Sequence, residues 1–106
     1  MDQRIDSIVK RFKRALEKRG IRPRKVIVYG SHSAGTAKEY SDIDVVVVSD
    51  DFAGMDLYDR LSVLGHAVAD VFEPIEPLPY TVAEYEALGP GTFVGQEVKP
   101  KGIVVT

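Results

Sequence analysis

The sequence predicts an α/β (α+β) fold, a small mixed β-sheet with helices packed on it. Two observations about periodicity predict it. Apolar residues recur at helical spacing around positions 5–16 and 57–70, and two β-branched runs stand at 25–29 and 43–48. A third observation is their order: helical and strand signals alternate along all 106 residues, as layers of helix on sheet require.

Each element has its own signature. Ile5, Ile8, Val9, Phe12 and Leu16 form one helical face with Arg and Lys between them, and Gly20 and Pro23 end that helix. Lys25–Tyr29 reads as a buried strand running into Gly30. Residues 31–40 are small and polar with a weak helical signal. Ile43–Val48 is the strongest strand, because four consecutive valines suit a pleat covered on both faces, which predicts a central position. After a turn at 50–54, Leu57, Leu61, Leu64 and Val68 return to helical spacing and predict a second amphipathic helix to about Asp70.

Residues 71–80 read as extended. Pro74, Pro77 and Pro79 each lack a ladder donor, which predicts an edge or interrupted strand. Thr81 with Glu84 three residues on matches a capping box, so a short helix is expected to Leu88, stopped by Gly89 and Pro90. A further helical turn is expected at 93–98, and a last edge strand at 103–105.

Length and composition limit the function classes. A chain of 106 residues has the size of one domain, and a single domain over 1–106 is expected. Hydrophobic residues at 44% and charged residues at 28% are near globular averages. Fourteen basic against sixteen acidic residues give a formal charge of -2, which argues against direct nucleic-acid binding through the phosphate backbone. The absence of cysteine excludes disulfides, thiolate zinc sites and cysteine nucleophiles. No apolar run approaches the roughly 20 residues of a membrane span, and the charged N-terminus has no apolar signal core, so a cytoplasmic location without membrane contact is expected.

The chemistry concentrates in GSHSAGTAKEYSDIDVVVV, residues 30–48. A Walker A loop is excluded because Gly30 and Gly35 are followed by Thr36 and Ala37 where lysine is required, and His32 breaks a GxGxxG fingerprint. What remains is a glycine turn after a strand, where the missing Cβ lets backbone N–H groups and the Ser31 hydroxyl approach a phosphate. Such turns also occur as plain connections. Asp42 and Asp44 lie two apart on a strand and therefore share a face, while Ile43 and Val45 point the other way. Two adjacent carboxylates repel unless a cation neutralises them, and Mg²⁺ prefers such oxygen ligands. The alternative is a solvated strand end with Asp42 capping a turn.

Gly30-Ser31, then Asp42-Ile43-Asp44 and a hydrophobic strand, resembles the signature of the polymerase-β-like nucleotidyltransferase superfamily. The short length resembles its minimal nucleotidyltransferase branch, often encoded beside a HEPN-domain protein. The resemblance implies a nucleotidyltransferase fold in which Gly30 and Ser31 contact the triphosphate of ATP or another NTP. It also implies that Asp42 and Asp44 bind two Mg²⁺ ions and that a third acid on a later strand completes the site. Residues 75–81 resemble the third-strand segment with Glu76 at the acid position, in preference to Glu73. Either glutamate also fits an edge-strand charge that deters aggregation. A basic residue often follows Gly-Ser in the family; His32 stands here instead, either as a phosphate donor or as a solvated loop side chain. Lys38 reads as a surface lysine within reach of phosphate, His66 as a helix residue without a ligand partner, and Ser33 and Ser41 as turn and cap residues.

The implied activity is transfer of AMP from ATP to a tyrosine hydroxyl of a partner HEPN toxin, with the chain as antitoxin in a hetero-oligomer. Two alternatives stay open: a catalytically idle module that silences a HEPN ribonuclease by binding it, and a nucleotidyltransferase acting on a small molecule.

Overall fold

The computed structural model describes residues 1–38 and 41–106. Helix α1, Gln3–Lys18, starts where the Asp2 side chain accepts the Arg4 N–H at 2.7 Å, an N-cap that the sequence reading did not single out. Strand β1, Lys25–Tyr29, leads into a single helical turn, α2, Ser31–Ala34. The weak helical signal at 31–40 thus resolves to one turn, and its last two positions, Glu39 and Tyr40, lie outside the described residues. Strand β2, Ile43–Val48, and a 3₁₀ turn, Asp50–Phe52, precede helix α3, Leu57–Val71. Strand β3, Ile75–Tyr80, helix α4, Val82–Ala87, a π-type turn, Val94–Val98, and strand β4, Ile103–Val104, follow.

The four strands form one sheet in the order β3-β2-β1-β4. β2 pairs parallel with β3 and antiparallel with β1, and β1 pairs antiparallel with β4, so the sheet is mixed as expected. The valine run is central. Val45 and Val47 point into a core with Ile5, Phe12 and Leu16 of α1 and Leu64 of α3, whereas Val46 and Val48 pack with Ile27, Tyr85, Val94 and Val98 on the other face. Burial on both faces is what a run without polar alternation requires. The same parity sends Asp42 and Asp44 to the face of Val46 and away from α1 and α3.

Pro74 lies just before β3, and the two prolines within it, Pro77 and Pro79, do not interrupt it, for a reason of backbone parity. The carbonyls of Pro74 and Tyr80 accept N–H groups of Ile43 at 2.8 Å and Ser49 at 2.9 Å, so even-numbered residues turn their backbone groups toward β2. Pro77 and Pro79 have the opposite parity, which places their donorless nitrogens on the open edge. The extended segment begins later than expected, because α3 continues through Val71 and ends on Phe72 at φ 63°, whose N–H donates to Val68.

The capping box at Thr81 and Glu84 is present in both directions, with N–H to oxygen distances of 2.8 and 3.1 Å. Arg60 of α3 grips the same Glu84 carboxylate through two nitrogens, at 2.6 and 3.1 Å, and these bonds push its pKa down to about 2. Among the described residues, no helix is long and apolar enough to cross a membrane.

The buried stripe of α3 differs from the sequence expectation. Leu64, Ala67 and Val71 are buried and Val68 is partly so, while Leu57 and Leu61 are 63% and 46% exposed. Ala67 is small and carries little weight in a count of large apolar residues. Leu64→Ala should therefore cost about 2–5 kcal/mol and Leu61→Ala less than about 1 kcal/mol, measured by denaturant unfolding. Comparable losses would show that the stripe has been placed on the wrong side.

Candidate active site

Strand β1 delivers the chain to Gly30, whose backbone at φ 73° and ψ −145° lies in a region that residues with a Cβ avoid. The Gly30 carbonyl then accepts the N–H groups of Ser33 and Ala34 at 3.2 and 3.0 Å and the Ser33 hydroxyl at 3.0 Å, closing the turn of α2. Ser31 is half-buried at the first position of that turn. Space imposes a second demand for glycine here: a Cβ on Gly30 would stand 2.6 Å from the Asp44 Oδ2. The carboxylate of Asp44 therefore rests on the bare α-carbon of the turn.

Register brings the other groups in. Asp44 stands opposite Tyr29 on β1 and opposite Glu76 on β3. Asp42 precedes β2 on the same face, and the Glu76 carboxyl is in hydrogen-bonding contact with it. Burial pushes the Asp44 pKa up, the charge of Asp42 adds to this, and His32 acts in the opposite direction. Glu76 is also raised, first by its hydrogen bond to Asp42 and by that residue's charge, then by burial and Asp44. Tyr29 is pushed up to about 12 by burial, with Asp44, Tyr80 and Glu76 contributing.

Three carboxylates thus meet at one end of the sheet, and none of the ion pairs among the described residues involves them. An all-oxygen acidic set without a protein counter-charge fits a hard divalent cation chemically. No three His, Cys, Asp or Glu side chains among the described residues stand arranged to hold a metal.

The structure brings Gly30, Ser31, Asp42, Asp44 and Glu76 together and leaves Glu73 out. Glu73 lies in the turn before β3, ion-paired to Arg11 of α1 at 3.3 Å. His32 is committed to the backbone: its Nε2 donates to the Ser41 carbonyl at 3.2 Å, next to Asp42. Ser41 accepts the Lys38 N–H at 2.8 Å, and Ser33 bonds its own turn, so both serines hold local structure. His66 is exposed on α3 with Nδ1 3.2 Å from the Ser62 carbonyl. Sequence reasoning missed Tyr29; the available signal was its parity, two residues after Ile27 and directly before the glycine turn. A cavity of about 580 Å³ opens at the opposite end of the sheet, lined in part by Lys25, Val48, Tyr85 and Lys99, away from the acids.

This combination of mixed sheet, Gly-Ser turn and clustered acids is that of a nucleotidyltransferase, and the chain belongs to the nucleotidyltransferase domain family, whose model matches residues 9–99. Among solved structures it is similar to a Sulfolobus solfataricus protein described as a candidate nucleotidyltransferase. That likeness has 17% identity and a TM-score of 0.68, over 95% of this chain and 78% of that one. It is also similar to a chain of a toxin–antitoxin structure with AMP-PNP, again at 17% identity, with a TM-score of 0.64 over 95% of this chain and 72% of that one. At such identities the likeness establishes the fold. No curated protein matches the sequence significantly.

Gly30→Ala should destabilise the protein by about 1–3 kcal/mol through backbone strain alone, with a further loss from displacing Asp44. Gly35→Ala is the control, since Gly35 also has a positive φ, 75°, but has nothing within 4 Å of an added Cβ. Equal losses in the two variants would mean that the contact with Asp44 contributes nothing.

Proposed function

We propose that the chain is a Mg²⁺-dependent nucleotidyltransferase, acting as one domain over 1–106, which moves AMP from ATP onto a hydroxyl of a HEPN-domain toxin and thereby serves as its antitoxin. The observation that carries this reading is the convergence of Asp42, Asp44 and Glu76 beside the Gly30-Ser31 turn. Family membership supports nucleotidyl transfer. The likeness to a toxin–antitoxin structure with AMP-PNP supports a nucleotide donor and a protein partner.

In this reading Gly30 and Ser31 bind the triphosphate, the turn offering backbone N–H groups and the serine a hydroxyl donor. Asp42, Asp44 and Glu76 would hold two Mg²⁺ ions, which would supply charge neutralisation for the attacking and leaving oxygens. Asp44 is the fixed ligand because Gly30 backs it. Asp42 is oriented by the strand and by the His32 bond to the preceding carbonyl. Glu76, at the exposed edge, would take the proton of the acceptor hydroxyl as its oxygen bonds to the α-phosphorus and pyrophosphate leaves.

Asp42 and Glu76 are exposed, so the acids open to solvent and a second chain has access to them. A tyrosine hydroxyl of the partner fits this access, because an acceptor held in line by a bound protein is positioned without a pocket of this chain's own. One observation favours a second reading, the idle binding module. His32 spends its ring nitrogen on Ser41, leaving the triphosphate turn without the basic side chain that often follows Gly-Ser.

Transfer of labelled AMP to the co-purified HEPN partner, read as a mass gain on that partner, separates the readings. Wild type should label the partner in the presence of Mg²⁺. Asp44→Asn and Glu76→Gln should each reduce transfer by at least about 100-fold, and Glu73→Gln should stay within about twofold. A partner silenced tightly with no mass gain would establish the binding module, and a Glu73 effect exceeding that of Glu76 would overturn the assignment of the third acid.

A further inference from the structure

We propose that Phe93 is the stacking platform for the nucleobase of the donor nucleotide, an inference that rests on nucleotide binding at the acid cluster. Phe93 is a large apolar side chain left 55% exposed immediately before the π-type turn. Its ring meets Tyr29 nearly at right angles, at 76° with centroids 5.7 Å apart. Tyr29 is the register partner of Asp44 and the residue directly before Gly30. The aromatic pair therefore adjoins both the acids and the phosphate-type turn, on the sheet face that they share.

Single exposed apolar residues are common on protein surfaces and need no function. Phe93 is set apart by how firmly its loop is held. The Thr92 N–H and hydroxyl both donate to the Gly89 carbonyl, at 3.0 and 2.7 Å, and the Thr92 hydroxyl oxygen accepts the Gly95 N–H at 3.0 Å. The Gln96 N–H donates to the Thr92 carbonyl at 3.0 Å. Gly95 packs so closely on the Gly89 carbonyl that a Cβ has no room. Val94 and Val98, the first and last residues of the turn, are buried in the second core. An aromatic ring fixed in this way loses little freedom when a ligand covers it.

The chemistry of the site selects the ligand. Negative charge surrounds Tyr29, so an anionic group would be repelled from the Phe93 ring unless cations intervened, whereas a nucleobase is neutral, flat and presents a π-face. A nucleotide whose phosphates sit at Gly30 and Ser31 extends its base away from them, and the aromatic pair begins one residue from that turn. Stacking tolerates every base but favours the larger purine surface, which accords with ATP as donor and extends acceptance to GTP.

The test compares Mg²⁺-dependent binding of a non-hydrolysable ATP analogue with that of inorganic tripolyphosphate, which has no base. Phe93→Ala should weaken the ATP analogue about tenfold, Phe93→Leu should recover only part of this, and Phe93→Trp should restore it. Tripolyphosphate should bind all four proteins equally, and analogues of ATP and GTP should bind wild type more tightly than those of CTP and UTP. Unchanged binding of the ATP analogue to Phe93→Ala would overturn the proposal. Parallel loss of tripolyphosphate would overturn it too, by showing that the ring only supports the fold of the turn, and so would a defect confined to partner binding. Wild type that binds neither ligand would instead refute the nucleotide site on which the proposal depends.

Discussion

The contact on which the site depends is that of the Asp44 carboxylate with the bare α-carbon of Gly30. It joins the turn after β1 to the head of β2, and a Cβ at position 30 would stand 2.6 Å from Oδ2, so the carboxylate would have to shift. Since β1 and β2 are antiparallel neighbours, with Tyr29 opposite Asp44, the turn and the acid are brought together by pairing alone. Parallel pairing of β2 with β3 then sets Glu76 beside Asp44 without requiring any loop to reach across. A site assembled from adjacent strand ends needs few residues.

The rest of the fold serves that arrangement by fixing β2. Its valines are buried on both faces, against α1 and α3 on one side and against Tyr85, Val94 and Val98 on the other, so a register slip of one residue would send Asp44 into an apolar core. The like charges at the strand end oppose folding in the absence of a cation, and this apolar burial offsets them. The edge position of β3 suits its part in the site. The donorless nitrogens of Pro77 and Pro79 lie on its open edge at no cost to the ladder, and Glu76 stays accessible.

Much of this was legible in the sequence because it depends on short-range rules. Strand parity placed Asp42 and Asp44 together, the valine run implied a central strand, and Thr81 with Glu84 announced α4. The choice between Glu73 and Glu76 needed the resemblance, because register is a property of two strands and the prolines obscured where β3 begins. Phe72 ends α3 in a left-handed conformation that glycine usually occupies, so the boundary carried no recognisable stop signal. The buried face of α3 was legible only in part: Leu64 and Val68 pack on the core as their spacing implied, while Leu57 and Leu61 stay exposed. Phe93 beside Tyr29 could not be read at all, since a π-type turn more than sixty positions away in sequence carries one ring to the other.

The central claim is that the three acids are held together against their repulsion, as the proposed cation site requires. The difference in melting temperature between Asp44→Asn and wild type tests it most directly. In chelated buffer the raised pKa values of Asp44 and Glu76 mean that wild-type stability is fully present below the ordinary carboxylate range and is lost as pH rises through the raised values. The advantage of Asp44→Asn should therefore grow from about pH 4 to about pH 8 and reverse when Mg²⁺ is added at the higher pH. A difference that is independent of pH, with equal Mg²⁺ shifts in both proteins, would contradict the claim.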